Sequence, residues 1–118
     1  MAIVNITNTK LKYNEAADLP ATVAITSAED GIAVDYTGKS DGRILLILEN
    51  SDSSAADVTI EQGNGLQGVE DMVINIGASG KKCIVLESGK FANVYGEKKG
   101  KVIIKGSTKI KAAAVELP

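Results

Sequence analysis

With 118 residues, 44% of them hydrophobic, the chain has the size of a single domain able to hide roughly two thirds of its unfolded surface in one core. Aromatic content is only 3%, namely Tyr13, Tyr36, Tyr95 and Phe91 with no Trp, so the core must be built from Val, Ile, Leu and Ala, which favours strands. A net charge of −2 and a pI of about 5.1 argue against nucleic-acid binding, and the absence of His removes the usual general base, the Ser-His-Asp and Cys-His arrangements and imidazole metal ligands.

Residues 1–19 lack a clean period and end at Pro20, which pushes the residue before it out of helical geometry. They read as an extended N-terminal arm ahead of a β-domain over 20–118. From there, short β-rich runs alternate with turn signals about every ten residues, the rhythm of a sandwich or barrel. "ATVAIT" (21–26) ends at "SAEDG", and "IAVDYT" (32–37) ends at "GKSDG". "RILLILEN" (43–50) is apolar at every position from Ile44 to Leu48, which predicts a central strand covered on both faces. "ADVTIEQ" (56–62) and "DMVINIG" (71–77) alternate as half-buried strands do. "KCIVLES" (82–88), "KVIIKG" (101–106) and "KIKAAAVEL" (109–117) complete a count of eight, with Cys83 expected at a core strand position. The predicted fold is all-β: a single sandwich or jelly-roll-like barrel of about eight strands.

"EQGNGLQGVEDM" (61–72) holds Gly63, Gly65 and Gly68 in the spacing G-x-G-x-x-G of a dinucleotide-binding loop. That fingerprint needs a helix starting at the last glycine, whose amides and dipole hold the pyrophosphate. A strand pattern follows Gly68 instead, so "GNGLQG" reads as a hairpin connection at a sandwich end, a position from which it can contact a partner. Glu29, Asp30, Asp35 and Asp41 lack EF-hand spacing and read as solvated turn carboxylates; zinc fails for want of Cys and His. No catalytic residue, cofactor site or metal site is expected. No run of ~18 apolar residues suggests a membrane span, and the N-terminus lacks the pattern of an export signal, so synthesis in a cytoplasm is expected.

Charge is divided along the chain. Residues 1–80 hold 12 of the 15 acids and 4 of the 13 bases, whereas 81–118 hold 9 bases and 3 acids. Two arrangements produce this: solvated strand faces that happen to sort so, or complementary patches that steer repeated contacts.

The segment from "GRILLILENSDSSAADVTIEQGNGLQG" through "MVINIGASGKKCIVLESGKFANVYGEKKGKVIIKG", residues 42–106, resembles the small head-decoration (cement) and related virion proteins of tailed bacteriophages. A long apolar strand ends in "LEN", a serine-rich turn leads to "VTIEQGNG", and "INIGASGKKCIVLES" leads to an aromatic and a glycine turn before the last strands. The resemblance implies a non-enzymatic capsid protein that stabilises the head in many copies, partnered by the major capsid protein and by other copies of itself, and located in the virion. Assembly contacts are expected at Ile3, Val4, Ile6, Leu11 and Tyr13, apolar residues of the arm that the compact domain does not obviously need, and at Phe91, Tyr95, Lys98, Lys99 and Lys101 of the basic part of the chain. The alternatives are a tail or head-tail connector component, and a carbohydrate-binding or lectin-like module, which the scarcity of aromatic rings disfavours.

Overall fold

The computed structural model describes residues 3–37, 43–66, 68 and 70–118. Asp41, the "GKSDG" turn at 38–42, Gln67 and Val69 lie outside the described residues. The chain is an all-β sandwich of two five-stranded mixed sheets, with strands β1 (Val4–Ile6), β2 (Thr9–Lys10), β3 (Val23–Ala24), β4 (Ile32–Asp35), β5 (Ile44–Asn50), β6 (Ala56–Ile60), β7 (Met72–Ile76), β8 (Lys81–Ile84), β9 (Lys101–Lys105) and β10 (Ile110–Glu116). One short helical turn, α1 (Ser88–Phe91), follows β8.

The first sheet runs β1-β4-β9-β6-β7 and the second β2-β10-β5-β8, with β3 also pairing β10. Register follows from alternation. Val4 stands opposite Ile32, Ile6 opposite Val34, and Ile32 and Val34 opposite Ile104 and Val102, which puts this apolar set on the inner face. The second sheet answers with Ile44, Leu46 and Leu48 of β5 beside Ala112 and Ala114 of β10. A slip of one residue in any of these strands would turn its apolar set to solvent, so the pairing is strongly specified. "KAAAVEL" is a strand because alanines opposite the leucines of β5 leave room for the facing sheet.

The expected arm is divided by the structure. Residues 4–10 belong to the sandwich: β1 extends the first sheet, parallel to β4, and β2 extends the second, parallel to β10. Residues 11–22 form an irregular, largely exposed connection. Pro20 and the lack of period are legible as this connection; the short apolar run before it is a pair of strand additions.

Two other expectations are corrected. β5 is covered fully on one face and half on the other: Ile44, Leu46 and Leu48 are buried, while Leu45 and Ile47, on the outer face of the second sheet, are intermediate. Cys83 is exposed, not a core residue. It lies on the edge strand β8 opposite Ile47, on that same outer face, whereas Ile84 opposite Leu46 takes the inner position.

The division of charge along the chain does not become a division in space. β9, from the basic part, lies between β4 and β6, and β10 lies between β5 and the β2 and β3 strands, all from the acidic part. Lys101 therefore stands opposite Asp35, and Glu49 is flanked by Lys111 and Lys81. Lys105 Nζ meets Glu61 Oε2 at 3.0 Å. Opposite charges on neighbouring strands support the pairing.

Two asparagines join the sheets at opposite ends. Asn8 donates through Nδ2 to the Asp35 carbonyl at the end of β4 (2.9 Å) and to Glu116 Oε2 at the end of β10 (3.0 Å). At the other end, buried Asn50 on β5 donates to the carbonyl of Ile76 at the end of β7 (3.1 Å).

Candidate functional site

The Asn8 end of the sandwich carries the long connections. From it leave the β2–β3 connection (11–22), the β4–β5 connection, the β6–β7 loop (61–71) and the β8–β9 segment (85–100). The Asn50 end has short turns, 51–55, 77–80 and 106–109, beside the β3–β4 connection. Exposed apolar side chains follow this asymmetry. Tyr13, Leu19, Leu66, Val85, Val94, Tyr95 and Leu117 all lie in segments that leave the long-loop end, while exposed Val23 and Val73 sit on strands at sheet margins.

The glycine loop is braced against the β8–β9 segment. The Gly63 amide donates to the Lys90 carbonyl at 2.9 Å. A Cβ on Gly63 would strike the Ala92 carbonyl oxygen, and one on Gly68 would strike the Gly63 carbonyl oxygen. Gly65 packs on Val94, where a Cβ would sit 3.4 Å from the nearer methyl. Gly63 and Gly68 thus permit close approach of one backbone to another, a second use of such a spacing besides phosphate binding. Asn64 completes the brace with a two-point clasp: Nδ2 donates to the Tyr95 carbonyl (3.0 Å) and Oδ1 accepts from the Val94 amide (2.7 Å).

This clasp presents Leu66, fully exposed, next to the half-exposed Val94 and to Tyr95, which is 64% exposed. Lys98 and Lys99 stand exposed a few residues on. A groove of about 430 Å³ opens between the start of β7 and the end of β8, lined by apolar Met72, Val85, Leu86 and Phe91 and by Glu70, Asp71, Glu87 and Lys90. A smaller, polar cavity of about 280 Å³ lies by the Asn8 clasp, among Thr7, Lys10, Asp35, Lys101 and Glu116.

The residues expected as assembly contacts separate into three groups. Ile6 is buried in the core, Val4 packs against that core and Ile3 is half-buried, so β1 spends its apolar side chains within the chain. Leu11 is half-buried, its amide bonded to the Glu116 carbonyl at 2.8 Å. Phe91 is 6% exposed and belongs to the core: α1 turns it inward. Lys101 is half-buried on β9. Tyr13, Tyr95, Lys98 and Lys99 are exposed. Leu19, Leu66, Val94 and the bracing Asn64 are not among the expected contact residues, although the "GNGLQG" loop that holds Asn64 and Leu66 is expected at a sandwich end where it can meet a partner. An apolar residue isolated between turn residues, such as Leu66 in "GNGLQG", was the available signal.

Among the described residues no group of three or more His, Cys, Asp or Glu gathers as metal ligands would, and no helix is long and apolar enough to cross a membrane. Glu29 and Asp30 sit at a turn on the Asn50 end. Comparison with protein-family models, curated proteins and solved structures finds no match to this chain.

Proposed function

We propose that this protein is a non-enzymatic capsid decoration protein of a tailed phage, binding the head shell in many copies and stabilising it, with the long-loop end of the sandwich as its assembly surface. The observation that supports this reading is the gathering of exposed apolar side chains, Leu66, Val94 and Tyr95, on a backbone braced by Asn64. An exposed apolar patch with lysines following in the same loop is suited to docking on a protein surface: apolar area supplies affinity, and exposed charges set approach and register. Repetition over a lattice makes weak single contacts sufficient, because a copy that bridges two shell subunits forms its second contact intramolecularly.

The experiment is co-sedimentation of the purified protein with heads of the phage or prophage that encodes it, beside a Leu66→Ser/Tyr95→Ser variant. Saturable binding by the first and its loss in the second is the expected result; no binding to heads sinks the assignment. Binding to isolated tails or connectors instead would move the protein to that part of the virion.

The exposed rings of Tyr13 and Tyr95 favour a second reading, a carbohydrate-binding or lectin-like module, since sugars stack on such faces. Retention on a polysaccharide panel, abolished by Tyr95→Ala, would establish it in place of decoration.

A further inference from the structure

We infer that the long-loop end is self-complementary and that a second copy of this chain occupies it, the segment 13–19 of each copy seated on the Leu66, Val94 and Tyr95 platform of the other. The inference rests on the reading of this end as the assembly surface and names what it binds.

Two surfaces of opposite character leave the same end. The first is "YNEAADL", 13–19, in which Tyr13 and Leu19 are exposed, the latter at 93%, and Glu15 and Asp18 lie between them. This segment is held locally, the Glu15 amide donating to the Lys12 carbonyl at 3.4 Å, and Asn14 adopts a left-handed φ of 60°. Both apolar side chains are presented to solvent although an irregular connection has no folding need of them there. The second surface is the platform, held by the Asn64 clasp and followed by Lys98 and Lys99. Lys12 leaves the 12–19 segment net −1, and Glu97 leaves the loop 93–100, ahead of β9, net +1.

The two surfaces do not satisfy each other within one chain, since Leu19 and Leu66 are both exposed. Between two chains they match in kind: a segment of net negative charge with two apolar side chains against an apolar platform whose loop carries two exposed lysines. Because they leave the same end of the sandwich, a two-fold relation brings each segment onto the other copy's platform and forms the contact twice, as a self-complementary interface requires. The apolar residues involved are few, so the association is weak in free solution, with a midpoint in the range of roughly 10–100 µM.

The test is sedimentation velocity of the full chain over about 5–500 µM, a span that brackets this midpoint. A reversible dimer is expected. Lys98→Glu/Lys99→Glu and Glu15→Lys/Asp18→Lys should each raise the midpoint about 10-fold, and the four changes together should return it toward the original, since the charges are exchanged rather than lost. Leu19→Ser and Leu66→Ser should each abolish self-association. Mixing those two variants should restore some dimer, because the mixed pair keeps one intact segment on one intact platform. All these side chains are exposed, so unchanged thermal transitions verify folding. A chain monomeric throughout, or a dimer indifferent to these variants, or charge pairs that fail to rescue each other, overturns the inference. A monomer that still binds phage heads would overturn it while leaving decoration standing, and a dimer that binds no head would do the reverse.

Discussion

The side-chain amide of Asn50, on β5 of the second sheet, donates to the main-chain carbonyl of Ile76, the last residue of β7 in the first sheet, at 3.1 Å. The same nitrogen meets the carbonyl of Ser54 at 2.9 Å, and Oδ1 accepts from the Asp52 amide at 3.0 Å. Asn50 has no solvent exposure, so its removal strands these partners. Asn50→Ala should cost about 2–3 kcal/mol in denaturant unfolding, the penalty for leaving buried polar groups unpaired. Asn50→Asp should be worse at neutral pH, where a buried carboxylate faces carbonyl oxygens, and should recover as acid protonates it. Equal stability of the wild type and Asn50→Ala would show that the clasp contributes nothing.

The unequal cover of β5 predicts unequal mutations. Leu46→Ala should cost about 2–5 kcal/mol through lost transfer energy and the cavity left behind. Leu45→Ala, on the half-covered face, should cost well under half of that. Urea unfolding of both variants decides it; matching losses would mean that the outer face of the second sheet is covered after all.

The strand additions at the N-terminus make a deletion informative. Removing residues 1–10 exposes the edges of β4 and β10 and takes Ile6 from the core, so the cooperative thermal transition should be lost or fall steeply. Asn8 goes with it, and with it the link from Asp35 to Glu116. Replacing 13–19 by a flexible Gly-Ser stretch of equal length should leave the transition nearly in place. If the first deletion is harmless, β1 and β2 are dispensable decorations of a complete sandwich.

Glycine positions offer a graded series. Gly68→Ala and Gly63→Ala push a methyl into a backbone carbonyl and should destabilise the loop by about 1–3 kcal/mol, within the usual range for single substitutions of named mechanism. Gly77→Ala meets no atom within 4 Å and should be close to neutral. Hydrogen exchange at Val94, whose amide is held by Asn64 Oδ1, should quicken in the first two variants and stay unchanged in the third.

The strands themselves were legible because alternation is a local property. Val58 and Ile60 against Asp57 and Thr59 state the strand and its inner face without reference to any neighbour, and the run from Ile44 to Leu48 states the strand though not its inner face. The strand expected after the G-x-G-x-x-G spacing is there as β7, again a local signal. Pairing partners are not local. Whether Cys83 lies in the core or on an outer face depends on which strand flanks β8, and the sheet order leaves it at an edge. Phe91 has the same composition signal as Tyr95, yet α1 turns the first into the core and the β8–β9 segment holds the second in solvent. The apparent separation of charge dissolved for a like reason: long-range strand pairing interleaves the acidic and basic parts, and Coulomb attraction acts between neighbours in space. Periodicity thus determined the longer strands of the domain, while the tertiary order of the strands decided that residues 4–10 join the sheets, which face of β8 is inward and which apolar side chains remain exposed.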